Sequence, residues 1–576
     1  MLAGAGGIDY ALLVVAVDDG IKPQTLEHLA ILDLLGINRG IVALTKADLA
    51  DEARRAVVMA EIQALLSGTS LRDAEIIAVS AASGEGIDIL KQRLAAAERE
   101  TGAVSASGRF RLAVDRSFTL SGAGTVVTGT VLSGTVAVGD QVRVSPSGLT
   151  ARVRSIHAQN SKAERGSAGQ RCALNLAGDG VSKEAISRGD MVLDPFLHAP
   201  ADRIDAEFSV LAAEPKPIGD WFSARLHHAS AEVGVRIVPL ADPLKPGESG
   251  LVQLVLDRPV AAAIGDRFIL RDVSAQRTIG GGRFLDLRAP LRKRRTPERL
   301  QLLDAAAVKD IADVLVHSLE IPPFLVDLNV FARDRALSES ELKAVLSASA
   351  AEVIEAPSGR YAISVRQRDA FSADIERVLS HFHAENPDLQ GIGRERLRLQ
   401  VTPRFPAPAL LVALRAEQVA GRLVLEGSFV RLPAHEVRLT DREEALYAEI
   451  LPHLEGEARF RPPRVRDFAE ILGGDEREIR RVLKLCARLG RLDQIRHDHF
   501  FTRAATAEMV EIIRYVAAAS QTGEFAAGVF RDRLNNGRKV AIEILEFFDR
   551  QGITIRRGDI RRVNPHRLDL YGGASV

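Results

Sequence analysis

Residues 41–50 read IVALTKADLA, an apolar run that ends at Thr45-Lys46-Ala47-Asp48 and passes directly into a segment of helical spacing. A polar loop at the carboxyl end of a buried strand is where an open α/β sheet places its ligands. A carboxylate there, Asp48, can accept two hydrogen bonds from N1 and N2 of guanine, a donor pair that adenine lacks. Each hydrogen bond to a charged acceptor contributes about 1.5–3 kcal/mol, so such a site discriminates between the bases by orders of magnitude. Lys46 would lay its aliphatic stem along the base plane, and the Thr45 hydroxyl would tie neighbouring loops together. The same residues also suit an ordinary turn that caps a helix.

The flanking sequence favours the guanine reading. About 35 residues on, a second apolar strand ends in VSAASGEG, residues 79–86, where Ser80 and Ala81 would present backbone N–H groups to the guanine carbonyl and Gly84 and Gly86 would permit the turn. ALLVVAV, GIVALTK and EIIAVS alternate with the helical patterns QTLEHLAILDLLG, 51–66 and IDILKQRLAAAE. Such runs predict a parallel sheet buried on both faces. Three strands make only the later half of a doubly wound domain, and the chain contains no Gly-Lys dipeptide to close a phosphate-cradling loop.

From Gly108 the texture changes to short alternating strands with glycine turns, and a second such stretch runs from about 202 to 287. Both predict β-barrels. The basic segment APLRKRRTPER, 289–299, marks a boundary. Beyond it, helices followed by two short strands around a polar turn recur four times, at EVIEAPSGRYAIS, RLVLEGSFVRLP, RLDQIRHDHFFTR and ITIRRGDIRRV. Repetition at about 60–70 residues suits four winged helices, although any small α+β unit could give it.

With 576 residues, 46% apolar and 26% charged, the chain is a string of modules. Its apolar runs fall far short of the ~20 residues of a membrane span, and its start lacks a secretory pattern. A cytoplasmic protein with no membrane association is expected. Cys172 and Cys486 lie far apart in apolar surroundings and are expected to be packing residues, with no metal site. The zero net charge hides a basic end: residues 531–567 carry ten basic and five acidic side chains, net +5.

MLAGAGGIDYALLVVAVDDGIKPQTLEHLAILDLLGI, ALTKAD, FRLAVDRSFTLSGAGTVVTGTVLSGTVAVGD, HAQN, AGQRCALNLAG, RDVSAQRTIGGGRFLD and FRDRLNNGRKVAIEILEFFDRQGITIRRGD together resemble the bacterial selenocysteine-specific elongation factors. That family is similar to elongation factor Tu, with four winged helices added. The resemblance implies a multidomain chain: a partial α/β P-loop-type GTPase domain at 1–103, β-barrels at 104–198 and 199–289, and winged-helix α+β modules at 290–366, 367–437, 438–505 and 506–576. It implies GTP as the ligand of Thr45, Lys46, Asp48, Ser80 and Ala81, with Thr45 standing where Asn is more usual. It also implies a selenocysteyl pocket at Asp115, Arg116 and Arg171, where arginines would favour a selenolate over a neutral hydroxyl. A solvated ion pair is the plainer reading of those three residues.

The resemblance further implies selenocysteyl-tRNA, a messenger RNA hairpin and the ribosome as partners of a monomer that directs selenocysteine to UGA codons. The hairpin would meet Arg531, Arg538, Lys539, Arg556 and Arg557, and an RNA reader of this kind should prefer a loop or bulge. Charge alone would equally allow DNA. The match begins after the family's phosphate loop, Mg²⁺-binding hydroxyls and water-positioning loop, so the expectation is an N-terminally truncated form without catalytic residues that hydrolyses GTP poorly. The alternatives are an RNA-binding adaptor independent of GTP and a winged-helix DNA-binding protein.

Overall fold

In the computed structural model, residues 8–101, 106–122 and 124–565 are described. The chain divides into two compact units, Met1–Asp374 with Val401–Ala413, and Ile375–Gln400 with Leu414–Val576. The first unit opens with β1 (Ala11–Ala16), α1 (Pro23–Leu34), β2 (Gly40–Thr45), α2 (Glu52–Leu66), β3 (Glu75–Ala78) and α3 (Ile87–Thr101). The strands form a parallel sheet in the order β1-β2-β3. Asp51 starts α2 by accepting a hydrogen bond from the Arg54 amide at 2.8 Å.

Burial on both faces holds for β2, whose Ile41, Val42, Ala43 and Leu44 are all buried. It fails for β1, where Ala11, Leu13 and Val15 are buried but Leu12 and Val14 are exposed. β1 is the sheet's edge strand, and among the described residues nothing covers its outer face, so the period-2 alternation of a half-buried strand appears instead.

The first barrel comprises β4 (Arg111–Leu120), β5 (Gly124–Ser133), β6 (Thr135–Ala137), β7 (Gln141–Ser145), β8 (Leu149–Ala158), β9 (Ser161–Ala163), β10 (Arg165–Ser167), β11 (Arg171–Ala177) and β12 (Met191–Leu193). Its order β11-β5-β4-β12-β7-β8 is closed by pairing of β8 with β11. Leu112, Val114, Val127, Val144, Ile156 and Leu174 fill the interior. The second is a closed barrel of β13 (Ala201–Val210), β14 (Phe222–His228), β15 (Ala231–Pro239), β16 (Ser249–Val260), β17 (Arg267–Arg271) and β18 (Thr278–Asp286). Phe208, Phe268 and Phe284 stack at its centre. β18 crosses so close to β13 that a Cβ at Gly280 or Gly282 would meet the Ser209 or Glu207 carbonyl at 2.1 and 1.8 Å, and a Cβ at Gly281 would lie 3.1 Å from Leu34 of α1.

Ion pairs join the parts of this unit. Glu27 of α1 receives hydrogen bonds from Arg271 at 2.7 Å and from Thr278 at 3.2 Å, and Arg267 donates to the Leu34 carbonyl at 2.9 Å. Between the barrels, Asp266 accepts from Arg111 at 2.7 and 3.1 Å and meets the His228 ring at 3.0 Å. Arg299, the last residue of the basic segment and already within the helix Pro297–Ala306, pairs with the fully buried Asp205 and with Asp286.

All four predicted hairpins are present: Glu352–Ala356 with Gly359–Ile363, Val424–Glu426 with Phe429–Arg431, Leu492–Arg496 with His499–Thr502, and Thr554–Arg557 with Ile560–Val563. Each follows helices, and three of the four sheets gain a short third strand. The cysteines are free and buried; burial raises the Cys172 thiol and pushes Cys486 up to about 12.

In the second unit the His383 and His435 rings stack at 3.6 Å between centroids. His383 Nε2 accepts the Leu432 amide at 3.2 Å, and the His435 Nε2–H donates to the Leu389 carbonyl at 2.8 Å. Burial, and then the charges of His435 and Arg431, push His383 down to about 4 from 6.5. Between those values the unfolded chain takes up a proton that the folded module refuses. The stability from neutral His383 is therefore complete above about pH 6.5 and is lost as pH falls towards 4, a change of about 3 kcal/mol. Urea melts between pH 7 and 4 should show this slope in the native chain and a flatter one in His383→Gln; equal slopes would rule His383 out as the source.

Candidate functional site

The two loops predicted to read guanine lie side by side at the carboxyl ends of β2 and β3. Val79 donates its amide to the Leu44 carbonyl at 2.8 Å, and Ala47 donates to the Val79 carbonyl at 3.1 Å. Asp48 is exposed, and its Oδ1 accepts the Ser80 hydroxyl at 2.5 Å. Asp48 Oδ2 has no hydrogen-bond partner among the described residues, so the carboxylate is held in place with acceptor capacity left over. Lys46 is in the left-handed region at φ 57°, an uncommon conformation for a side-chain-bearing residue that concentrates at functional sites. Its ammonium donates to Asp18 at 2.7 Å; this contact holds the Asp18 carboxyl below the usual range and raises Lys46. Thr45 Oγ1 donates to the Val15 carbonyl at 3.4 Å, tying the loop to β1.

One expectation needs correction. The Ser80 amide is not offered to a ligand: it donates to the Glu85 carbonyl at 2.9 Å and closes the turn. Ser80, fully buried, acts through its hydroxyl on Asp48, and Ala81, which is exposed, keeps the amide with no partner among the described residues. Gly86, at φ 70°, is required because a Cβ would lie 2.1 Å from the Ala78 carbonyl. Arg55 of α2 clamps the two loops, donating to Glu85 at 2.6 Å and to the Ala50 carbonyl at 3.1 Å. Asp18, Arg55 and Glu85 were not legible as site residues, since each acts through tertiary contact across 28 or more residues.

In the first barrel, Asp115 is the extra residue of a β-bulge: Val114 pairs with Gly129 and Arg116 with Thr128. A bulge re-aims a side chain. Here it turns Asp115 so that Thr128 donates to one oxygen at 2.7 Å and Arg171, two strands away on β11, pairs with the other. The Arg171 side chain stays 55% exposed, against 19% for Asp115, and can be approached while it is held. Arg116 is exposed with no partner among the described residues. The fold thus brings Asp115 and Arg171 together and leaves Arg116 beside them as an uncompensated cation.

The last module supplies a helix-turn-helix, Ala527–Leu534 and Arg538–Gln551, followed by its wing. Arg538 and Lys539 occupy the first helical turn, exposed and unpartnered among the described residues, with no acidic residue in that turn. Basic charge at a positive helix end suits phosphate. Arg556 donates to the Gly558 carbonyl at 2.9 Å, while Arg557 and Arg562 are exposed on the wing without partners among the described residues. Arg531 is answered by Asp532 at 2.5 Å. Charge counting overstates this surface: Arg561 is 3% exposed and pairs with Asp549 at 2.9 Å, Arg550 donates to the Ile495 carbonyl, and Arg567 lies outside the described residues.

Family models match in chain order: elongation factor Tu GTP binding domain over residues 1–115, elongation factor Tu domain 2 over 124–193, the selenocysteine-specific elongation factor beta-barrel domain over 205–291, and the elongation factor SelB winged helix over 377–432 and 517–563. The selenocysteine-specific elongation factor of Escherichia coli (strain K12) is 38% identical over 561 residues, 97% of this chain and 87% of that protein. The chain belongs to the selenocysteine-specific elongation factors. The selenocysteine-specific elongation factor of Desulfomicrobium baculatum is 32% identical over 98% of this chain and 89% of its own length. A crystal structure of the bacterial selenocysteine-specific elongation factor EF-Sec shares the fold, with a TM-score of 0.60 and 22% identity over 98% of this chain and 88% of that one. For a selenocysteine-specific elongation factor the winged helices distinguish the chain from elongation factor Tu. No helix among the described residues is long and apolar enough to cross a membrane.

Proposed function

We propose that this elongation factor holds the guanine of GTP with Asp48, the Ala81 amide and the stem of Lys46, carries selenocysteyl-tRNA with Asp115, Arg116 and Arg171 at the aminoacyl end, and docks on a messenger RNA hairpin with its last winged helix. Working as a cytoplasmic monomer on the ribosome, it directs selenocysteine to UGA codons. The residues present fit the guanine ring, because Asp48 is fixed by Ser80 yet keeps an unpaired oxygen. When bound, GTP would supply the state change that alters the barrels' grip on tRNA. The contacts of α1 with Arg267, Arg271 and Thr278 give such a change a direct route into the second barrel.

The observation that carries the RNA assignment is the unpartnered pair Arg538 and Lys539 at the start of Arg538–Gln551. Replacing both with alanine is expected to weaken hairpin binding about tenfold or more and to flatten the dependence of log affinity on log salt by about one to two units. Fluorescence anisotropy of a labelled hairpin across a salt series measures both. Unchanged affinity and slope would remove this surface from the assignment, and tighter binding to duplex DNA of equal length would favour a DNA reader.

A further inference from the structure

We propose that the hollow beside Trp221 binds an unpaired stretch of RNA, with a base stacked on the indole and phosphates held by Arg292 and Lys293. Trp221 is the chain's single tryptophan. It stands just before β14, half exposed, in the left-handed backbone region at φ 62°. A bulky side chain rarely adopts that conformation, and burial does not account for it here. The basic segment that marked a domain boundary runs past the same place, and within it Lys293 is also left-handed, at φ 58°. Two strained side-chain-bearing residues thus border one cavity of about 350 Å³, a size suited to a small organic group.

The electrostatics favour an anion with a flat face. Arg294 sits 5.7 Å from the indole centroid and donates to the side-chain carbonyl of the buried Gln253 at 3.2 Å, so it supports the ring from a fixed anchor. Asp220, the one acidic residue of the lining, is neutralised by Arg295 at 2.7 Å, which is itself bound to the Pro239 carbonyl at 2.8 Å. Lys293, in the lining, and Arg292, its neighbour in the chain, are exposed and have no hydrogen bond or ion pair among the described residues. An aromatic platform with uncommitted cations beside it is the arrangement that holds single strands: the indole face takes any unpaired base and the cations follow the backbone. A duplex, whose bases are already stacked, cannot use the ring.

This site goes beyond the hairpin reading and does not depend on it, since Trp221 and the last winged helix belong to different compact units. Because the chain has one tryptophan, its emission reports this site directly. Titration of the full chain with short oligo(U) should quench the emission saturably, and Arg292→Ala with Lys293→Ala should move the midpoint about tenfold upward. Duplex RNA of equal length should quench little. The change Arg538→Ala with Lys539→Ala should leave the oligo(U) midpoint unmoved. Emission insensitive to oligo(U), equal quenching by duplex, a midpoint indifferent to Arg292 and Lys293, or one that follows Arg538 and Lys539 would each overturn the proposal.

Discussion

Asp266→Ala is expected to destabilise the barrel pair by about 3–5 kcal/mol, the cost of leaving buried charge without its partner. Asp266 accepts two hydrogen bonds from Arg111, one from the Ala263 amide at 2.8 Å, and contacts His228. Burial alone would raise its carboxyl, but Arg111 and His228 outweigh burial and hold it well below the usual carboxylate range. Removing it strands a guanidinium 10% exposed and an imidazole 3% exposed, with only Ser133 left to Arg111. Unfolding here is multi-domain, so the measurement is the shift of the transition that includes the barrels, followed by urea-dependent circular dichroism. A shift below about 1 kcal/mol, the value of an exposed pair, would mean that solvent reaches the cluster.

Asp48→Ala should weaken guanine-nucleotide binding by about 10²–10⁴-fold, the loss of two hydrogen bonds to a charged acceptor. Asp48→Asn should do more than weaken: its amide presents a donor where the guanine amino group needs an acceptor, and xanthine carries oxygen at that position. Preference should therefore turn from guanine to xanthine nucleotides. Ser80→Ala should have a smaller effect, about tenfold, because it frees the carboxylate without removing it. Competition of guanine and xanthine nucleotides against a fluorescent analogue, with the unsubstituted chain as reference, separates these outcomes. Guanine affinity retained within a few-fold in Asp48→Ala would show that the carboxylate does not read the base.

The two loops after β2 and β3 were legible because their residues are contiguous and each loop directly follows a strand whose apolar run announces it. The barrels and hairpins were legible for a similar reason: period-2 alternation and glycine turns are local signals. The Asp115–Arg171 pair spans 56 residues and depends on a bulge, so it entered through resemblance alone. Arg561 and Arg562 look identical in a charge count, yet strand alternation buries the first against Asp549 and exposes the second. The Ser80 amide was misread because a tight turn recruits its own donors. Leu12 and Val14 break the expected pattern because an apolar run does not say whether both faces of its strand are covered.

The triple glycine of β18 has an evolutionary corollary. Every missense change open to a glycine codon adds at least one side-chain carbon, and at Gly280, Gly281 and Gly282 that carbon meets backbone carbonyl oxygen at 2.1, 2.8 and 1.8 Å. A point mutation at any of these codons is therefore expected to be either silent or structurally costly, at Gly280 and Gly282 by pushing β18 off β13 and at Gly281 by pushing it off β17 beside Leu34 of α1.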